Sequence, residues 1–327
     1  MHDIDVKVYD RQSTQSVIAC KRGLVILTKT RDEVELIESW ILHHLKVVGP
    51  DGLIIIFDNG STSNSVWDCY ARYIGKNVQV FHYRYMLDRL HIPCENATLY
   101  QDLMRHSDYF SFIDTDEFLY FYDQSGLVTG SMDCKEFLGD TTSWAPSMWL
   151  ENVENLSNVF KLDGAGSINH GLLWGKPLFN AKKFILSSNK LINHNIQYYQ
   201  CTKDIDFVGG VLCLHMKNLF PRRRVRVNFW KLQANAGLDD SMTLDEFINE
   251  IDKLVFHGKP VAEAYHRQTK YLIGSDLDSL PALFEDNSYA NAAVLSDGHL
   301  GFDNPSIEAL FRESINNLDF IRGGGKN

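Results

Sequence analysis

Short apolar runs alternate with amphipathic stretches along the first third of the chain. Residues 23–28 (Gly-Leu-Val-Ile-Leu-Thr) read as a brief buried strand. Arg31-Asp32-Glu33 then sets acids where a helix amino terminus favours them. Val34, Ile37, Ile41, Leu42 and Leu45 recur at helical spacing until Gly49-Pro50 stops the pattern. Residues 53–57 (Leu-Ile-Ile-Ile-Phe) form a second strand, followed at once by a polar loop, Asp58 to Ser63. The pattern continues with a helix over 66–73, a strand over 78–82, a helix over 95–106, and an apolar run from Tyr109 to Ile113. Past residue 120 it changes. Residues 143–150 and 174–186 are strand-like, and 207–216 form an apolar strand ending at His215. Helical patterns fill 221–236, 244–256 and 260–272, and the tail from 287 is weakly patterned.

Strands alternating with helices at this pitch predict an α/β fold with a mostly parallel, doubly wound sheet flanked by helices. Ligands of such sheets bind beyond the carboxyl ends of the strands. Three polar loops fall there: Thr28 to Glu33, Asp58 to Ser63, and Asp114 to Glu117.

Composition narrows the class without naming it. The chain has 327 residues, enough to bury a large core, with 44% hydrophobic and 23% charged residues. A net charge of −10 argues against a general nucleic-acid binder. No apolar stretch approaches the length of about 18–20 residues that spans a bilayer. The polar start, Met1-His2-Asp3-Ile4-Asp5, is unlike a secretory leader, so a cytoplasmic setting is expected. The six cysteines include no Cys-x-x-Cys pair, offering neither a zinc site nor a disulfide framework.

The candidate chemistry sits in Tyr109-Phe110-Ser111-Phe112-Ile113-Asp114-Thr115-Asp116-Glu117-Phe118. Burying carboxylates is costly, so acids closing an apolar strand belong at its exposed carboxyl edge, where a divalent cation is their simplest partner. Hard oxygen ligands suit Mg²⁺ or Mn²⁺, and Mn²⁺ also tolerates an imidazole. Asp116 is the first choice of direct ligand, Asp114 stands beside it as the second acid, and His215, at another strand's end, is the candidate third ligand. After His215 comes a basic run: Lys217, Arg222, Arg223, Arg224, Arg226 and Lys231. Lys217 and one or more of Arg222, Arg223 and Arg224 could neutralise phosphate oxygens. A solvated face or an anionic lipid surface is the other use of such a run.

Four motifs taken in order carry a resemblance. Thr28-Lys29-Thr30-Arg31-Asp32-Glu33, Glu38-Ser39-Trp40-Ile41-Leu42-His43-His44, Asp58-Asn59-Gly60-Ser61-Thr62 and Asp114-Thr115-Asp116-Glu117-Phe118 together resemble the family-2-like glycosyltransferases of the GT-A fold. The resemblance covers residues 20–235. It departs at Asp32, where that branch usually has Asn, and at Ser63, where it usually has an acid.

The resemblance implies a GT-A domain over 1–238, with a nucleotide-binding half over 20–120 and an acceptor half over 121–238. Residues 239–327 are then a helical carboxyl-terminal extension. It implies inverting transfer from a nucleoside diphosphate sugar, UDP favoured, to a glycan or lipid-linked acceptor, as in polysaccharide assembly at the inner face of a membrane. Thr28, Arg31 and Glu33 would grip nucleoside, Asp58 would meet the base, Asn59 would also contact the nucleotide, and Asp114 would touch ribose or a metal-bound water. Inverting transfer also needs a general base on the acceptor side, for which Glu151 and Asp163 are the candidates. His43 and His44 read as structural. A phosphohydrolase is disfavoured by Phe118 at the position where such enzymes carry Thr or Val, and a nucleotidyltransferase by the lack of a Gly-rich loop after the first strand. A catalytically inactive binding protein of the same fold is the remaining alternative.

Overall fold

In a computed structural model the described residues are 6–10, 16–83, 90, 92–122, 128–129, 144–145, 147–152, 159–161, 178–181, 211–217, 219–274, 292–296 and 299–302. The first sheet has the order β1-β4-β3-β2-β5-β11-β8, with β1 Lys7–Val8, β2 Arg22–Thr30, β3 Leu53–Asp58, β4 Val78–His82 and β5 Ser107–Phe112. These five run parallel; β11 (Leu178–Asn180) pairs antiparallel with β5, and β8 (Trp144–Ala145) pairs antiparallel with β11 at the edge. The result is a mostly parallel, Rossmann-like sheet with helices on both faces.

Alternation along β2 shows why both faces are covered. Leu24 and Ile26 enter one core with Trp40 and Ile41 of α1 (Ile37–Val48) and Val66 and Tyr70 of α2 (Asn64–Tyr73). Val25 and Leu27 enter the other core with Leu99, Tyr100 and Leu103 of α3 (Ala97–His106). A strand buried on both sides reads as an unbroken apolar run, as 24–27 does.

A second sheet follows the order β14-β13-β10-β9-β12-β6-β7. It comprises β6 Glu117–Tyr122, β7 Val128–Thr129, β9 Met148–Asn152, β10 Val159–Lys161, β12 Val211–His215, β13 Ala292–Ser296 and β14 His299–Phe302. Phe118, Leu119, Leu212 and Leu214 share the core of α1, so that helix lies between the two sheets. Beyond them α4 (Pro221–Ala236), α5 (Leu244–Glu250) and α6 (Pro260–Gly274) build their own core around Phe229, Leu232, Phe247 and Ile251. The expected helical extension supplies α5 and α6. It then returns as β13, which pairs antiparallel with β10. No helix among the described residues is long and apolar enough to cross a membrane.

Two sequence expectations shift. The helix expected from Glu33 begins at Ile37, because Asp32 takes a left-handed φ of 46° and its carboxylate accepts from the Thr62 and Ser63 amides at 2.6 and 2.8 Å. Residues 31–36 are thereby stitched to the β3–α2 loop. Val34 and Leu42, counted on the apolar face, are about half exposed at 46% and 45%. Helix α1 has no side-chain cap at Leu36. Such a cap contributes about 1 kcal/mol. Burial of Ile37, Trp40, Ile41 and Val47, at about 1.5–3 kcal/mol each, outweighs its absence.

Candidate active site

The chain runs outward from β2 to β3 to β4, then crosses back to place β5 on the opposite side of β2. Between β2 and β5 the winding reverses, and such a switch point leaves a crevice at the carboxyl ends. Thr30 ends β2 level with Asp58 of β3, and the Ile113 amide still bonds to the Leu27 carbonyl at 2.9 Å. Asp114 is therefore the first residue past the sheet, opposite the loop that begins at Arg31.

The acid turn is held from several sides. The Asp114 amide donates to Glu117 Oε2 and the Glu117 amide to the Asp114 carbonyl, both at 2.9 Å. Trp40 Nε1–H donates to the same carbonyl at 2.9 Å, and Thr115 Oγ1–H reaches Glu33 Oε2 at 3.2 Å. The tandem histidines act one strand further on. His43 Nε2–H donates to the Leu119 carbonyl at 2.7 Å, and the Leu119 amide donates to His44 Nε2 at 3.3 Å.

Pairing explains the need for them. The Met216 amide bonds to the Asp116 carbonyl, so Asp116, Phe118 and Tyr120 turn their backbone groups toward β12. Leu119 turns its pair the other way, while Phe121 finds β7 there. The two imidazoles satisfy the Leu119 backbone pair as a neighbour strand would. Both stay neutral: burial pulls the His43 pKa down to about 4, and burial with the adjacent His43 holds His44 well below its ordinary value.

At the centre lies a buried ion network. Arg223 of α4 donates from Nε to Glu33 Oε1 and Oε2 at 2.9 and 2.8 Å, and its Nη2 lies 2.6 Å from Oε2. Its Nη1 donates to Asp116 Oδ2 at 3.0 Å, and His215 Nε2 lies 3.5 Å from that same oxygen. Arg223 is only 3% exposed. Burial alone would raise the Asp116 carboxyl, but the Arg223 guanidinium and His215 outweigh it and hold it well below the usual carboxylate range. Arg223 in turn is held charged, its pKa raised by Asp116 and Glu33 against the effect of burial. A cavity of about 220 Å³ opens on this network, lined by Arg31, Asp114, Asp116, Arg223, Trp230 and Lys231 among others. Arg31 lies over the Trp230 ring at 5.6 Å. A larger cavity of about 640 Å³ sits at the β1–β4 edge, away from the acid turn, where Lys7 and Asp10 are its charged lining.

The structure thus brings together Arg31, Glu33, Asp114, Asp116 and His215 of the residues singled out in sequence. It corrects others. Asp58 is fully buried, and its carboxylate accepts from the Ser61 amide at 2.7 Å, Ser61 Oγ at 2.6 Å and Tyr70 OH at 3.0 Å. It shapes its own loop, without reaching the cavity. Asn59 also lies off the cavity, its amide bonded to the Thr30 carbonyl at 2.8 Å. Thr28 is buried and lies below the cavity, whereas Thr30, two residues on along the same strand face, lines it. Arg222 is exposed on α4 while its neighbour Arg223 enters the network, because consecutive helical residues point about 100° apart. Lys217 is half-buried and does not line the cavity.

Glu151 lies on β9, paired in parallel register with His215. Asp163 lies outside the described residues. Trp230, Lys231 and Trp40 were not anticipated as site residues. The i, i+4, i+8 spacing of Arg223, Val227 and Lys231 was the one signal for the α4 face. Among the described residues no group of three or more His, Cys, Asp and Glu side chains converges as a complete metal-binding set.

No protein-family model matches the chain, and no curated protein matches it. Solved structures do. Residues 1–349 of S. aureus TarS align over 86% of this chain and 96% of that one, at 11% identity and a TM-score of 0.33. The mannosyltransferase PcManGT from Pyrobaculum calidifontis, in complex with GDP-Man and Mn²⁺, aligns over 96% and 91%, at 11% identity and 0.34. Glucosyl-3-phosphoglycerate synthase from Mycobacterium tuberculosis aligns over 39% and 44%, at 21% identity and 0.24. Likeness at this level assigns neither activity nor ligand.

Proposed function

We propose that this chain is an inverting glycosyltransferase of GT-A type, moving a sugar from a nucleoside diphosphate donor, UDP favoured, to a hydroxyl of a glycan or lipid-linked acceptor. One observation carries the reading: an acid turn, an imidazole and a buried guanidinium meet at the switch-point crevice of a parallel sheet. Breaking the glycosidic bond loads negative charge onto the departing diphosphate. Cationic groups fixed where that charge grows favour the transition state over the ground state. Arg31, Arg223 and Lys231 stand around the cavity for that purpose. Glu151, in register with His215 at the same end of the second sheet, is the first general base to test, and Asp163 the second.

A divalent ion, Mn²⁺ or Mg²⁺, fits this site on one condition. Asp116 and His215 share a buried position where a cation already rests, the Arg223 guanidinium. Such ions are held by one or two protein groups plus substrate phosphates, so the donor itself would complete the set. Asp116 and His215 would hold the ion, with Asp114 beside them. When bound, it would neutralise the diphosphate charge.

The test is thermal unfolding with UDP, GDP, CMP or dTDP, each with Mn²⁺, Mg²⁺ or EDTA. A ligand bound only by the folded state raises its melting temperature by mass action. Stabilisation by one nucleotide, greater with metal than with EDTA, is expected. Absence of any shift, with no nucleotide released from any sugar donor, would overturn the reading and favour an inactive member of the fold.

A further inference from the structure

We propose that Arg223 is an exchangeable internal cation: it occupies the cation position of the acid turn in the donor-free protein, and passes from Asp116 to the donor's diphosphate when a divalent ion takes that carboxylate. Metal and nucleotide then bind as a coupled pair, each weakly without the other. This rests on the donor reading above.

The geometry supplies both a tether and an exchangeable arm. The Nε and Nη2 edge of Arg223 is fixed on Glu33 by contacts of 2.6–2.9 Å. Thr115 Oγ1–H, at 3.2 Å from Glu33 Oε2, steadies that carboxylate in turn. The other edge reaches Asp116 through Nη1 alone, at 3.0 Å. The guanidinium is planar and rigid, so that one bond opens by Asp116 turning onto the metal, which leaves Nη1–H to the adjoining cavity that Arg223 lines, with the Glu33 pair intact.

Charge requires the exchange to be mutual. Arg223 Nη1 and His215 Nε2 already crowd one oxygen, Asp116 Oδ2, at 3.0 and 3.5 Å. A divalent ion on that carboxylate would lie a few ångströms from a buried guanidinium, and like charges that close repel strongly out of water. Arg223 must therefore leave Asp116 before a metal binds there. Leaving with no new acceptor would strip a buried cation of one of its two carboxylates, which is costly. A diphosphate removes the difficulty, because its oxygens accept the freed Nη1–H in a charge-assisted bond. Asp116 exchanges Arg223 for a metal while Arg223 exchanges Asp116 for phosphate, and both cations stay paired.

Coupling of this kind is reciprocal and typically amounts to about 5–150-fold in affinity. The experiment measures binding, not turnover. Calorimetric and paramagnetic-resonance titrations would follow Mn²⁺ alone, UDP alone in EDTA, and each at saturation of the other. The wild-type protein should bind Mn²⁺ at least about tenfold more tightly with UDP than without it. Mn²⁺ and UDP also associate free in solution, so the deciding comparison is Arg223→Gln. That variant should bind Mn²⁺ alone more tightly than the wild type and show a smaller gain from UDP, the remainder coming from the donor's own phosphates on the metal.

Equal affinity of the wild type for Mn²⁺ with and without UDP overturns the exchange and leaves the donor reading standing. So does a coupling that survives Arg223→Gln intact. Failure of every nucleotide to bind under any condition overturns both. Should Arg223→Gln not fold, Arg223→Lys serves: it keeps the charge, cannot span Glu33 and Asp116 together, and should show a reduced coupling.

Discussion

Asp116 sits at the centre of the site, its carboxylate meeting Arg223, His215 and the cavity at once. Asp116→Asn keeps the shape and removes the charge. Transfer should fall by about 10²–10³ or more, the range seen when one preorganised electrostatic group is lost. The fold should persist, because Glu33 still holds Arg223. Steady-state rates alongside circular dichroism check both halves, and near-normal turnover would remove Asp116 from the chemistry. His215→Gln should act mainly on metal affinity, read as a rightward shift of the Mn²⁺ activation curve with kcat at saturation far less affected. The placement of Asp114, Asp116 and His215 at strand ends was legible because acids and a histidine closing apolar runs have few cheap structural uses. Among Arg222, Arg223 and Arg224 the choice was not legible. Helical phase relative to β2 decides it, and composition carries no such phase.

Helix α1 shows how an element can serve a site it does not enter. Trp40, His43 and His44 bond to the backbone at Asp114 and Leu119, fixing the acid turn from behind. The histidines give this support a pH limit. Unfolded histidine titrates near pH 6.5. His43 does so at about 4 in the folded chain, and His44 well below 6.5. Between those values the unfolded chain binds protons the folded chain refuses, so stability falls as pH falls through that window. The slope approaches about 1.4 kcal/mol per pH unit for each histidine. Asp116 adds to the same fall only below about pH 5, where the unfolded carboxyl begins to take up protons while the folded one, held well below its ordinary value, stays charged.

Urea unfolding at about pH 7 and about pH 5 measures the slope. The double variant His43→Gln, His44→Gln should flatten it, because glutamine does not titrate and offers both a donor and an acceptor to Leu119. An unchanged slope would assign the acid sensitivity to other groups, with Lys46 nearby the same in both proteins. By contrast His44→Leu should cost about 1–3 kcal/mol, the penalty for stranding a buried amide. Sequence reading set both histidines down as structural and stopped there. Their partners are main-chain atoms, which carry no residue-type signal.

At the scale of the molecule, the parallel sheet and its order of elements were legible because each strand is a short apolar run bounded by turn residues. The return of β13 to β10 was not, since antiparallel pairing between distant segments leaves no periodicity to find. Nor was the way α4 closes the crevice. That helix faces the β2–α1 loop through charge, with Arg223 on Glu33 and Asp116, Arg226 on Glu35, and Arg31 and Arg226 both over Trp230. On its other side it packs through Phe229 and Leu232 into the apolar core shared with α5 and α6.

A unit joined by apolar packing on one side and by ion pairs on the other should respond to ligand at the ionic side, where a donor supplies competing charge. Hydrogen–deuterium exchange with and without UDP and Mn²⁺ should therefore slow in residues 30–36 and 221–236. The amides of α5, which adds no residue to the cavity lining, and those of α6 away from Tyr265, which does line it, should change little. Protection spread evenly over α4, α5 and α6 would mean that the three helices move as one body, and Trp230→Ala would then loosen all three where a local hinge would loosen only the first.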